Sequence, residues 1–278
     1  MRRLLGAAAA AGGLCVAVSA VAAPSVEIDN AAARVTIAPE SRRDIRVDVF
    51  KPNPRLPVRV WSFAGRTYVD GGQWGRLRGC GGRAGHPAAK LLGQPDIPVD
   101  ALPLIVIRTP MDAHVFVGGE VWGQAGRSES FELGNSGCGG WAIGDVHGRL
   151  RVSQAGSGDT RTGGAGSAEL SATGSGSIAT GAVAGPVTAT NVGAGNINIA
   201  SVNGALNARV AGAGQIHVAA GHATSMQASI AGSGGVTLNG VAGALNASVM
   251  GSGGVRVTRV TGPVSKSVMG SGVVRIGS

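Results

Sequence analysis

Aromatic and acidic residues are scarce in this 278-residue chain, and both are missing from most of its second half. Aromatic residues make up 3% of the sequence, and none follows Trp141. None of the 15 acidic residues follows Glu169. Glycoside hydrolysis needs paired carboxylates, and calcium needs oxygen ligands that are usually carboxylates. Residues 170–278 are therefore not expected to hold a site of either kind.

Motifs of several catalytic classes are also missing. The sequence contains no G-x-S-x-G, no H-E-x-x-H, no P-loop and no calcium-binding GGxGxD nonapeptide. Asp145 and His147 could provide half of an acid–base or metal site, although a solvated strand face is the simpler interpretation. We therefore predict no catalytic residue, no metal site and no cofactor.

Glycine, by contrast, is abundant: 49 residues, many of them in a repeat of about 19 residues. A G-[S/A/C]-G triplet marks each repeat. The triplets begin at Gly137, Gly156, Gly174, Gly193, Gly212, Gly232, Gly251 and Gly270. This period is too short for a pair of helices, and the repeats are rich in glycine and β-branched residues, so we predict strands.

Aliphatic residues alternate with small or polar ones within each repeat, which predicts strands with one buried face. The expected buried columns are Ile178/Ile197/Ile216/Val236/Val255/Val274, Thr180/Ile199/Val218/Leu238/Val257/Ile276, Val183/Val202/Val241/Val260 and Val187/Leu206/Leu245/Val264. Three short strands and three bends that glycine permits make one coil, and stacked coils bury their aliphatic rows together. The predicted fold is all-β, a single-stranded right-handed parallel β-helix with regular repeats over residues 137–278.

The first 22 residues predict export. Arg2 and Arg3 precede an Ala/Leu/Val run, and Ala20-Val21-Ala22 suits a signal peptidase. We expect cleavage after Ala22 and a periplasmic, secreted or cell-surface protein without a transmembrane segment; an uncleaved anchor is the alternative. Residues 23–136 contain alternating stretches broken by Pro and Gly. We interpret them as the irregular, capping end of the same helix, with a separate β domain as the alternative.

Two cysteines, Cys80 and Cys138, remain after this cleavage, each within a G-C-G-G tetrapeptide. In an oxidising compartment such a pair usually forms a disulfide. If both tetrapeptides occupied one column three coils apart, about 14 Å would separate them, which is too far to bridge. The predicted disulfide therefore requires that residues 79–137 do not form three regular coils.

The G-S-G-x-V-x-V…V-x-G repeats, preceded by an export signal and a strand-rich segment, resemble the bacterial head GIN domain family over roughly residues 30–278. Members of this family are described as candidate autotransporter adhesins, so the resemblance implies a β-helix with an adhesive role and supplies no catalytic residues. An autotransporter also needs a C-terminal membrane barrel with aromatic girdles. Because no aromatic residue follows Trp141, we expect no translocator barrel here.

A polar ladder is the candidate binding surface. Outward positions between two buried columns place Asn198, His217, Thr237, Arg256 and Arg275 in one row. We expect this row to bind a glycan, cell-surface or protein partner, as part of a non-catalytic adhesion or scaffold module. The simpler alternative is that these side chains are only solvated.

The alternative function is a carbohydrate-active β-helix, resembling a polysaccharide lyase or hydrolase, with its site within residues 23–170. The net charge of +9 includes no dense Lys/Arg run, so we expect no nucleic-acid partner. The final repeat still carries the core pattern at Val273–Ser278, which predicts self-association through the C-terminal edge.

Overall fold

The computed structural model of the chain describes residues 23–83 and 86–277, so the predicted signal peptide, residues 1–22, lies outside the described residues. The first strands are β1 (Ser25–Glu40), β2 (Arg46–Lys51), β3 (Arg59–Phe63), β4 (Arg66–Asp70), β5 (Leu77–Arg83), β6 (His86–Leu91), β7 (Ile97–Pro98), β8 (Leu104–Pro110), β9 (Asp112–Ala125), β10 (Ser130–Asn135) and β11 (Trp141–Ile143). One turn of 3-10 helix, Val99–Ala101, lies between β7 and β8.

The remaining strands belong to the regular repeats. They are β12 (Val146–Gly156), β13 (Thr160–Thr162), β14 (Ala165–Gly174), β15 (Ile178–Val183), β16 (Val187–Gly193), β17 (Asn196–Gly212), β18 (Gln215–Val218), β19 (Gly221–Gly232), β20 (Gly235–Ala242), β21 (Leu245–Gly251), β22 (Gly254–Val260), β23 (Val264–Met269) and β24 (Val273–Ile276). Parallel pairing joins each coil to the next, in about nine turns of about 19 residues. The predicted parallel β-helix is confirmed.

Each regular coil has three faces, numbered in chain order from its G-x-G corner, and the candidate sites described below lie on the first and third. The first face contains β11, β13, β18, β22, β24 and the first halves of β15 and β20, paired in parallel with their neighbours. The third face contains β10, β12, β14, β16, β21, β23 and the second half of β19. The long strands β1, β9 and β17 run through both, so the N-terminal strands extend the same two faces.

The interior is the predicted aliphatic core, with differences at Val241 and in the last coil, where the expected core positions Val264 and Ile276 are 43% and 38% exposed because no described coil stacks on them. One hydrophobic cluster runs continuously from Val26 to Val257. In the coil that begins at Gly232, Ala242 is fully buried and Val241 is only half-buried, so the expected core position Val241 was wrong by one residue. The register shift between Leu238 and Val241 accounts for the difference, because a one-residue slip exchanges the inward and outward side chains.

Each G-x-G corner brings two backbones into contact. Gly232 has a φ of +130°, and a Cβ there would lie 2.4 Å from the carbonyl oxygen of Gly212 in the preceding coil. Buried amides support two corners from the inside: Asn135 donates to the carbonyl of Gly139 at 3.2 Å, and Asn191 donates to that of Gly195 at 2.6 Å. Glycine is therefore required at the corner by both backbone conformation and space.

The N-terminal end departs from the regular coil in two ways. Antiparallel strands close both faces there: β2 pairs with β8 on the first face, and β3 pairs with β4 on the third. In addition, β5, β6 and β7 form a separate three-stranded antiparallel sheet outside the solenoid. Residues 77–98 therefore leave the coil path, which is the departure that the predicted disulfide requires.

Two links attach this small sheet to the solenoid. Cys80 on β5 is bonded to Cys138 in the first G-C-G corner, with a Cα–Cα distance of 5.6 Å, so the predicted disulfide is confirmed. The buried carboxylate of Glu120 accepts hydrogen bonds from the backbone N–H groups of Arg78, Gly79 and Lys90 at 3.0, 2.7 and 2.7 Å. Burial raises the pKa of Glu120, and these three bonds oppose the shift.

A glycine exchange tests the corner geometry. Gly232→Ala should lower the free energy of unfolding by about 1–3 kcal/mol, because it combines a positive φ with a backbone clash. Gly235→Ala is the matched control, since a Cβ there would meet nothing closer than 3.4 Å, and we expect a change within about 0.5 kcal/mol. Urea unfolding followed by circular dichroism measures both. Equal losses in the two variants would contradict this account of the corner.

The disulfide has a direct chemical test. The protein without residues 1–22, analysed unreduced by mass spectrometry, should be lighter by two hydrogens than its reduced form and should contain no thiol that can be alkylated. Replacing both cysteines by serine should lower the free energy of unfolding by about 2–4 kcal/mol, because the bond closes a long loop across a sequence separation of 58. Two alkylatable cysteines in protein taken from the export compartment would contradict the assignment.

Candidate functional site

The five residues predicted to form a polar row do lie side by side on the first face. Successive strands pair Asn198 with His217, His217 with Thr237, Thr237 with Arg256, and Arg256 with Arg275. Asn198 and both arginines are exposed, while His217 and Thr237 are half-buried. At the spacing of paired strands, the row is roughly 20 Å long.

A shallow depression runs along the arginine end of this row. Its volume is about 290 Å³, and its lining includes Thr237, Arg256 and Arg275. Gly235 and Gly254 are paired two residues before Thr237 and Arg256. They carry no side chain, and this leaves the space for the depression. Residues 170–278 contain five Lys and Arg and no Asp or Glu, and no ion pair among the described residues involves Arg256 or Arg275.

The third face carries a second ladder whose chemistry changes along the axis. Toward the C-terminus its column contains amides and hydroxyls, in register: Thr188, Asn207, Gln227, Asn246 and Ser265. Toward the N-terminus the same column contains His114, Glu132, Arg151 and Glu169.

Ion pairs connect the charged part of this ladder. His114 Nδ1 lies 2.9 Å from Glu132 Oε2, and Arg151 Nη2 lies 2.7 Å from Glu169 Oε2. Hydrogen bonds from Arg151 and Arg149 hold the pKa of Glu169 below its usual range. These side chains are partly solvated, so each ion pair contributes little to stability.

The weaker candidates from the sequence have ordinary partners. Asp145 accepts a hydrogen bond from the backbone N–H of Gly164 at 2.8 Å, and His147 Nδ1 lies 3.5 Å from Glu129 Oε1. Asp145 and His147 are both exposed. Within residues 23–83 and 86–277, no three His, Cys, Asp or Glu side chains are grouped to hold a metal ion.

Sequence reasoning missed an aromatic groove at the N-terminal end of the third face. Register places Trp61, Tyr68, Glu27 and Phe116 in one outward column. Asp29 lies beside this column and lines the same depression as Glu27 and Phe116. These residues come from four strands that lie outside the repeats, so no periodic signal in the sequence could bring them together.

The last described coil exposes residues that are buried in earlier coils. Val264 and Val268 on β23 are 43% and 44% exposed, although the equivalent Leu245 and Val249 are buried. Between them, Lys266 occupies the inward column of the buried Ala247. An inward-pointing lysine makes stacking of a further strand costly, so it opposes association at this edge. Self-association remains a prediction.

Comparison with known proteins gives a likeness in fold. No protein-family model matches the sequence, and no curated protein matches it. The crystal structure of a "putative adhesin" from Parabacteroides distasonis ATCC 8503 matches with a TM-score of 0.57 and 13% identity, over 90% of this chain and 91% of that one.

At this identity the likeness shows a shared fold and no more, so the resemblance to the head GIN domain family remains a prediction. No helix among the residues that the structure describes is long and apolar enough to span a membrane. The solenoid is thus of a kind that a protein described as an adhesin also has.

Proposed function

We propose that the chain is an exported, non-catalytic adhesion or scaffold module that binds acidic groups on a surface through the arginine end of the first face. The observation that carries the proposal is the register of Arg256 and Arg275, which stand side by side and exposed next to the 290 Å³ depression. The fold shared with a described adhesin supports a binding role.

The chemistry of the row favours an acidic ligand. Arginine offers a planar set of N–H donors that fits carboxylate and sulfate groups. No ion pair of the described residues involves Arg256 or Arg275, so their donors face solvent. Asn198, His217 and Thr237 extend the surface with neutral donors and acceptors. An acidic polysaccharide on a cell surface fits a flat row of this kind.

Export completes the proposal. Residues 1–22 are proposed to be a cleaved signal peptide, residues 23–136 the irregular capping end, and residues 137–278 the regular solenoid. The disulfide between Cys80 and Cys138 supports an oxidising compartment, since such bonds persist in the periplasm and outside the cell.

A charge-matched pair of double variants tests the row. Arg256→Ser with Arg275→Ser should weaken binding to a sulfated or carboxylated surface at least tenfold and reduce its salt dependence, with the melting temperature unchanged. Arg55→Ser with Arg209→Ser removes the same charge away from the row and should bind like wild type. Surface plasmon resonance on immobilised heparin at several salt concentrations measures this. Equal weakening in both variants would indicate only a general charge effect and would contradict the proposal.

The carbohydrate-active alternative has one observation in its favour. The carboxylates of Glu27 and Asp29 line one depression within residues 23–170, and burial, with Glu27 and Asp70 nearby, raises the pKa of Asp29. If the chain were such an enzyme, polysaccharides would gain reducing ends on incubation, and Asp29→Asn would abolish this. We expect no new reducing ends with wild type. Turnover that depends on Asp29 would overturn the non-catalytic assignment.

A further inference from the structure

The aromatic column on the third face ends in an open platform. Trp61 and Tyr68 stack with their ring centroids 5.4 Å apart and their planes 11° apart. Two strands further on, Phe116 is 38% exposed and its ring leans over Gly134, where an added Cβ would lie 2.8 Å from Phe116 Cδ1. The missing side chain at Gly134 therefore lets the Phe116 ring lie along the sheet, with apolar surface toward solvent.

Polar groups surround this platform on two sides. A depression of about 230 Å³ lies beside Phe116. The carboxylates of Glu27 and Asp29 line one side, and the hydroxyls of Ser136 and Ser153 line the other. The groove thus combines an apolar floor with hydrogen-bonding groups at its rim, which is the arrangement of small-ligand sites in general.

The charges of the groove select among ligands. Glu27 is neutralised by Arg66 at 2.9 Å, while Asp29 lies near Glu27 and Asp70 and has no ion pair among the described residues. Carboxylates accept hydrogen bonds from hydroxyl groups and repel acidic ligands. The groove therefore suits a ligand that is rich in hydroxyls and carries no negative charge.

The backbone of the groove rules out binding by strand addition. β1, β9 and β10 are paired on both sides, so they have no open edge that could accept a peptide strand. A ligand here is held by side chains alone. Pyranose rings match this requirement, because their C–H faces pack on aromatic rings and their hydroxyls reach acceptors in the plane of the ring.

From these contacts we propose that the groove of Glu27, Asp29, Phe116, Gly134 and Ser153 binds a neutral carbohydrate chain, with one sugar ring on Phe116. The chain follows the aromatic column toward Tyr68 and Trp61, because the column continues the platform in that direction. This site is separate from the arginine row and has the opposite charge preference.

Calorimetry with neutral hexasaccharides tests the groove. The exported chain is titrated with cellohexaose, laminarihexaose and maltohexaose, which differ only in linkage. We expect one of them to bind wild type, with an affinity that does not change with salt, and to be recovered intact. Phe116→Ala and Asp29→Asn should each weaken that binding at least tenfold. Gly134→Ala should weaken it too, because the new methyl group displaces the Phe116 ring without removing it.

Control variants distinguish sugar binding in the groove from binding at the arginine row. Phe50→Ala removes another exposed ring, on β2 at the end of the first face, and should bind like wild type. The Arg256→Ser, Arg275→Ser double variant should also retain binding of the neutral sugar. The proposal is overturned if wild type binds none of the three sugars at millimolar concentration, or if Phe116→Ala and Gly134→Ala bind as wild type does. Neither result would alter the test of the arginine row.

Discussion

Backbone pairing between successive coils, in register, is the interaction on which the rest of the structure depends. No coil can bury its own aliphatic row, so each depends on the coil before and after it. The pairing brings backbones so close at the corners that a side chain at Gly232 would collide with the carbonyl of Gly212. The glycines therefore recur because the coils stack, and the same stacking turns single outward residues into rows.

The sequence predicts the regular half of the fold well because its physical signals are local and periodic. Glycine spacing gives the corners, and alternation gives the inward columns, from Ile178 through Val255. The slip at Val241 was not predictable from spacing, since it arises from a local shift in register. The disulfide was predictable from two cysteines in a chain that the sequence predicts to be exported, but the sheet of β5, β6 and β7 that makes it possible was not.

The two candidate sites also differ in whether the sequence repeat predicts them. The arginine row follows from periodicity, because Arg256 and Arg275 hold one repeat position in consecutive coils. The aromatic groove depends on strands that carry no repeat, joined in the order β3, β4, β1 and β9. Sequence order places Phe116 far from Trp61, and they are aligned because the first residues of β1 pair with β4 on one side and β9 on the other. Nothing in the sequence encodes that alignment locally.

Acidic side chains are confined to the N-terminal part of the solenoid, which contains the aromatic groove, and the arginine row lies in the part without them. Every Asp and Glu lies at or before Glu169, where the aromatic groove and the ion pairs of the third face are found, and the charged side chains of the later coils are all basic. The two proposed sites therefore lie in parts of the solenoid that differ in charge.

Nuclear magnetic resonance mapping of backbone amides tests the central claim, that coil stacking builds two distinct binding surfaces, most directly. Labelled protein is titrated separately with the neutral hexasaccharide and with a heparin hexasaccharide. The account predicts two sets of shifted amides without overlap, one around Phe116 and Gly134 and the other around Arg256 and Arg275. One shared set for both ligands, or shifts scattered over all three faces, would contradict it.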